Sequence, residues 1–314
     1  MRPGDMTAPA LLPRIHGLVP VLETPFRADG SIDEESFRTV VAHVRDSGVS
    51  GAMFPGFASE YAKLDDAERA ALTVAFVEEA RRGEGFLAVV SVPDHGTEVA
   101  VRRAAEAVAA GAGAINVLPP HFLAPSREAI VEHVGEILSA VPSTPVVVQL
   151  APGLTGASLA ASDVAMLADR FPNLAAIKVE STPPGRVVAS LRAVAPRLDL
   201  LVGLAGLHLP DALDRGATGL QPGCSVIELY VDLWELWQAG RREEFDDLHR
   251  RLVPYLSVWM TGVEFVVQVE KTISRERGLI ATDVCRRPGY RLDATERRLI
   301  DRFLAEFSDR WARA

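Results

Sequence analysis

Eight short apolar segments, each followed by a stretch of helical periodicity, run through residues 16–239 of this 314-residue chain. They are Val19–Glu23, Gly51–Phe54, Phe86–Val92, Ala114–Val117, Val146–Leu150, Ala175–Val179, Leu200–Gly203 and Gly219–Pro222. They are rich in β-branched residues and lack strict apolar–polar alternation. Strands covered on both faces, as in a parallel sheet, have this pattern. The intervening helices have legible ends. Asp33 offers N-cap chemistry, with Gly48 after the helix close. Asp65 with Glu68 forms a capping box, and Gly83 follows. Thr97 opens an Ala- and Val-rich run that stops at Gly111, and Ser126, Ser162 and Pro183-Pro184 mark three further starts.

Strand–helix alternation repeated eight times predicts an α/β protein with a (β/α)8 barrel, the TIM-barrel architecture. An open doubly wound sheet uses the same units, but no GxGxxG follows the first strand. The eighth helix is expected over Ile227–Ala239, and beyond Gly240 the pattern is purely helical. The chain therefore divides into a loose, Pro-rich lead-in (1–15), the barrel (16–239) and a C-terminal helical region (240–314).

Composition narrows the function. A net charge of −9 with no clustered basic face argues against nucleic-acid binding. No apolar run reaches the roughly 18 residues that would span a bilayer, and the first fifteen residues lack the core of a signal peptide. Cys224 and Cys285 form neither a CxxC nor a Cys/His cluster, so no disulfide framework, metal or other cofactor is expected. A cytoplasmic protein is the expectation. Among 33 basic residues only Lys63, Lys178 and Lys271 are lysines. A lysine inside an apolar strand needs a reason that arginine would not satisfy.

Lys178 closes the sixth strand, in L-A-A-I-K-V-E. The carboxyl ends of barrel strands face the active-site mouth. Desolvation favours the neutral form of an amine, and a neutral amine attacks a ketone to form an electron-withdrawing iminium. The competing reading is a lysine whose ammonium reaches solvent from the strand end. Glu180, two residues on, shares a strand face with Lys178 by the period-two rule. It can serve as a base or pair with a rim arginine.

Several segments in order resemble the family of dihydrodipicolinate synthase and N-acetylneuraminate lyase. Gly17 to Asp33 reads G-L-V-P-V-L-E-T-P-F-R-A-D-G-S-I-D, similar to the family's first strand and T-P-F turn. Gly56-Phe57-Ala58-Ser59-Glu60, then Leu64 and Glu68, stands where the family has G-T-T-G-E and L-S-x-x-E. Pro120-His121-Phe122 with Pro125 is similar to its P-Y-Y/F segment, and Pro152 with Thr155-Gly156 to its P-x-x-T-G. Ile177-Lys178 matches the I-K of the Schiff-base lysine. The resemblance implies a lyase of aldolase or dehydratase type, acting on a small 2-oxo acid through Lys178. It also implies a homo-oligomer, a dimer or tetramer.

The departures from that pattern concern the polar machinery. Phe57 and Ala58 replace both threonines, leaving backbone donors and Ser59 to hold a substrate carboxylate. The relay tyrosine falls at Gln149, a second relay tyrosine at Phe122, and a carboxylate-binding arginine at Leu154. An amide cannot titrate, so Gln149 can orient a partner but cannot move a proton. The candidate catalytic set is Lys178, Glu180 and Gln149. The candidate substrate-binding set is Gly56, Phe57, Ala58, Ser59, Glu60, Phe122, Gly203 and Cys224. Within these, Glu60 also has a structural reading and Cys224 that of a small packing residue. Glu23, His95 and His121 are further candidates for proton transfer. The alternatives to a lyase are a Schiff-base condensing or cyclising enzyme of a specialised pathway, and a non-catalytic 2-oxo-acid-binding descendant.

Overall fold

In the computed structural model, which describes residues 12–156 and 159–311, eight parallel strands form one sheet ordered β1-β8-β7-β6-β5-β4-β3-β2. They are β1 Gly17–Leu18, β2 Gly51–Phe54, β3 Leu87–Val92, β4 Ala114–Val117, β5 Val146–Leu150, β6 Leu174–Val179, β7 Asp199–Val202 and β8 Gly219–Leu220. A bridge between Val21 and Met53 closes the seam between the first two strands. There Leu22 N donates to Met53 O at 3.0 Å and Met53 N to Pro20 O at 2.8 Å. The first expected strand, Val19–Glu23, thus begins earlier and pairs intermittently. Pro20 and Pro25 in this stretch have no N–H to give a ladder.

The helices around the sheet are α1 Glu34–Asp46, α2 Asp66–Ala80, α3 Thr97–Ala110, α4 Arg127–Ala140, the single turn α5 Pro152–Thr155, α6 Ala161–Arg170, α7 Pro184–Val194, α8 Leu209–Asp214 and α9 Ile227–Gln238. Three follow the barrel, α10 Arg242–Trp259, α11 Val263–Glu276 and α12 Ala294–Glu306, with a last turn α13 Ser308–Trp311. The caps at Asp33, Asp65 and Ser126 accept backbone N–H groups of their helices as expected. Ser162 is not a cap: α6 starts one residue before it, and Asp163 Oδ2 accepts the Ala160 N–H at 2.8 Å.

Alternate strand residues sort onto two faces. Val89, Ala114, Val147, Ala176 and Leu201 fill the barrel interior together with Val19, Val21 and Met53. Their neighbours Val90, Ile115, Val148, Ile177 and Val202 meet the helices. Ile15 plugs the interior layer, and Arg14 pairs with Asp199 of β7. The lead-in therefore begins to pack before residue 16, while residues 1–11 lie outside the described residues.

The helical region is tied to the barrel by buried charge. Lys271 of α11 is fully buried and donates to Glu60 Oε1 and, at 3.0 Å, to Val284 O. Its ammonium also lies 4.2 Å from the centre of the Phe26 ring. Glu60 Oε2 receives Lys63 Nζ at 3.0 Å and the Arg286 backbone N–H at 3.0 Å. Glu60→Ala strands the Lys271 ammonium and is expected to cost about 3–5 kcal/mol in urea unfolding. Combining Glu60→Leu with Lys271→Met removes both charges together and should recover much of that loss.

Candidate active site

Parity carries the interior face upward from the apolar layer into a polar one. Two residues beyond Val89, Ala114, Val147 and Ala176 stand Ser91, Asn116, Gln149 and Lys178. Gln149 and Lys178 are register partners across β5 and β6. Asn116 Nδ2 donates to Ser91 Oγ at 2.9 Å and to Gln149 Oε1 at 3.2 Å. Gln149 Nε2 donates to Glu180 Oε2 at 2.6 Å, and the other oxygen of Glu180 lies 3.3 Å from Lys178 Nζ. Lys178 is 3% exposed. A hydrogen-bonded chain thus runs from Ser91 of β3 to the Glu180 carboxylate, which forms an ion pair with Lys178.

Glu180 reaches this position because the chain stays extended past β6, its N–H donating to Leu150 O at 2.8 Å. Gly203 makes the room: a Cβ there would fall onto the Glu180 side chain. The small cavity beside Lys178 and Glu180 has a volume of about 90 Å³. Phe57, Ala58, Leu154, Leu204 and Gln221 line it, and Met260, Val263, Val266 and Glu270 close it from the helical region. Leu204 and Ala205 hold left-handed backbone, at φ 53° and 49°. Non-glycine residues in this region cost on the order of 1 kcal/mol each and gather at functional sites.

Several expected residues stand elsewhere. Phe122 is 82% exposed at the tip of the loop after β4, where its N–H donates to His95 Nε2 at 2.8 Å. It does not line the Lys178 cavity. The His95 and His121 rings lie 4.6 Å apart, and His95 lines a separate cavity with Thr97, Pro120, Leu123 and His133. Ser59 is engaged inside the protein, accepting Gly56 N at 2.9 Å and donating to Leu22 O. Glu60 is taken up by Lys63, Lys271 and the Arg286 N–H and does not line the Lys178 cavity. Gly56 serves packing, since a Cβ would meet Val21 and Met53 at 2.7 and 2.9 Å. The Cys224 thiol is buried in the core, and burial pushes it well up, out of the reactive range.

Two polar lining residues, Gln221 and Glu270, stand outside the sequence candidates. Gln221 follows Gly219 at inward parity, the same signal that paired Lys178 with Glu180. Glu270 continues the face of Val263 and Val266, where a carboxylate among apolar positions is the available signal.

Residues 14–306 match the Dihydrodipicolinate synthetase family. The chain belongs to that family. It is 34% identical over 239 residues to the 4-hydroxy-tetrahydrodipicolinate synthase of Prosthecochloris aestuarii, covering 76% of this chain and 80% of that one. Identity to the enzyme of the same name from Chlorobium limicola is 33%, over 76% and 79%. The dihydrodipicolinate synthase structure from Rhodopseudomonas palustris superposes with a TM-score of 0.85 at 26% identity, over 93% of this chain and 97% of that one. The kinship is with aldolase-type lyases of small substrates. The family match spans α10 and α11, so the helical region is part of the family fold. Among the described residues no group of three or more His, Cys, Asp or Glu is arranged to hold a metal, and no helix is long and apolar enough to cross a membrane.

Glu23 ends the first strand segment fully buried, with Ser274 and Glu270 nearby. Burial, with Glu270 nearby adding to it, pushes its carboxyl from 4.5 up to about 7. Between those values the folded chain holds a proton that the unfolded chain has lost. Stability therefore falls as pH rises from about 4.5 to about 7 and levels off above. Glu23→Gln should flatten this slope and gain up to about 3 kcal/mol at pH 8, read by urea unfolding across the window.

Proposed function

We propose that this protein is a lyase that binds a small 2-oxo acid as a Schiff base on Lys178 and makes or breaks a bond beside the iminium. The observation that carries this reading is the Lys178–Glu180 pair, 3.3 Å apart at the edge of a cavity, with Lys178 buried. The volume of about 90 Å³ is well below the roughly 300 Å³ at which sites for drug-sized ligands begin, which supports a small substrate.

The chemistry follows from the positions. Lys178 must shed a proton before its nitrogen attacks the ketone carbon, and Glu180 Oε1 is the nearest acceptor. The carbinolamine hydroxyl then takes a proton and leaves as water, giving the iminium. The iminium accepts the electron pair of the bond broken at the neighbouring carbon, and protonation of the enamine followed by hydrolysis frees Lys178. Glu180 does the proton transfer that the family's tyrosine would do from position 149. Gln149 ties one oxygen of that carboxylate and leaves the other facing the amine. The substrate carboxylate lies against Phe57 and Ala58, whose backbone N–H groups open a 3₁₀ turn and have no carbonyl partner within it.

Borohydride reduction with pyruvate should place the adduct on Lys178, and Lys178→Ala should abolish it. An adduct on Lys63 or Lys271 would overturn the reading. Glu180→Gln should lower turnover by at least ~100-fold while Lys178 stays trappable. Condensation of pyruvate with aspartate semialdehyde should be absent or very slow, because neither a titratable tyrosine at 149 nor an arginine at 154 is present. Turnover in the usual enzyme range of about 1–1000 per second would contradict this.

A further inference from the structure

The Lys178 cavity has a second polar wall that the imine chemistry leaves unused. Gln221 is 3% exposed, and neither its amide nitrogen nor its oxygen has a hydrogen-bond partner among the described residues. An amide buried without a partner costs about 1–3 kcal/mol, a cost a bound ligand removes. Glu270 lines the same cavity from α11, its Oε2 accepting the Ser225 backbone N–H at 3.1 Å. Gly223 makes space for that carboxyl, because a Cβ there would fall on it. Apart from these two, Lys178 and Glu180, the lining is apolar, and Lys178 is its one cation.

Resting on the Schiff-base reading, we propose that Gln221 and Glu270 hold the oxygen of the second carbon fragment, and that this fragment is an uncharged, largely apolar aldehyde. An anionic fragment would be desolvated in a largely apolar pocket with no further cation, because its single one is already engaged as the iminium. In the joining direction C3 of the enamine bonds to the aldehyde carbon, and the carbonyl pair moves onto oxygen. Gln221 donates an N–H to that oxygen, which takes a proton from the Glu270 carboxyl. Burial pushes the Glu270 carboxyl up, toward its proton-carrying form. Glu180, a carboxylate again once the carbinolamine has lost water, takes the proton released from C3 as the enamine forms. When water hydrolyses the final iminium, Glu180 returns that proton to Lys178 and the water's proton restores the Glu270 carboxyl.

The test uses the full-length protein with pyruvate and two sets of acceptors, isobutyraldehyde and benzaldehyde against glyoxylate and succinic semialdehyde. Borohydride trapping with pyruvate alone runs in parallel. Uncharged acceptors should exceed anionic ones by at least ~10-fold in kcat/KM. Gln221→Leu and Glu270→Gln should each lower kcat/KM for the uncharged set by ~10-fold or more, with Lys178 still trapped. Anionic acceptors used equally well or better would overturn the proposal. So would wild-type rates in both variants, or no turnover of uncharged acceptors while trapping succeeds. Failure of wild-type trapping would instead bring down the Schiff-base reading and this inference with it.

Discussion

An ammonium and a carboxylate 3.3 Å apart, above a barrel layer of valine, alanine and leucine, set the terms for the site. Taking two charges out of water costs several kcal/mol each, and their attraction offsets this only when the remaining polar valences are filled. Gln149 fills one on Glu180, Asn116 fills one on Gln149, and Ser91 anchors Asn116. The polar layer is thus a single dependency that ends at the amine. Removing any inner member leaves the next without its partner.

The same physics appears a second time, to a different end. Glu60 joins Lys63 and Lys271 and ties the helical region to the turn after β2. All three lysines of the chain therefore sit against glutamates, and lysine scarcity alone does not distinguish the site lysine from the tether. What distinguishes them is the cavity. Lys178 and Glu180 border open space, whereas Lys271 is enclosed by Glu60, the Val284 carbonyl and the Phe26 ring.

Under the proposed Schiff-base reading, the titratable group of the site has moved to the neighbouring strand rather than been lost. Where a tyrosine hydroxyl is usual, an amide stands, and a carboxylate on the neighbouring strand occupies the space the amide points to. Such an exchange needs glycine at 203, because a larger residue would occupy the carboxylate's volume. The change at Gln149 and the presence of Glu180 are two halves of one arrangement.

Local periodicity determined the strands, most helix ends and the shared face of Lys178 and Glu180, because each depends on residues a few positions apart. Seven of the eight strands lie within a residue or two of their expected bounds, and the exception is the proline-bearing first. Family likeness in the sequence pointed to Lys178 and Gln149 but did not tell which flanking residues face the cavity. That depended on closure of the barrel and docking of α11. Docking turned Glu60 onto Lys271 and brought Glu270 to the cavity, across 211 residues of chain in the case of the ion pair. The loop after β4 carried Phe122 out to solvent, and an internal hydrogen bond took up Ser59. Periodicity is a property of neighbours along the chain, whereas the partner of a buried charge is whichever opposite charge the fold brings close to it.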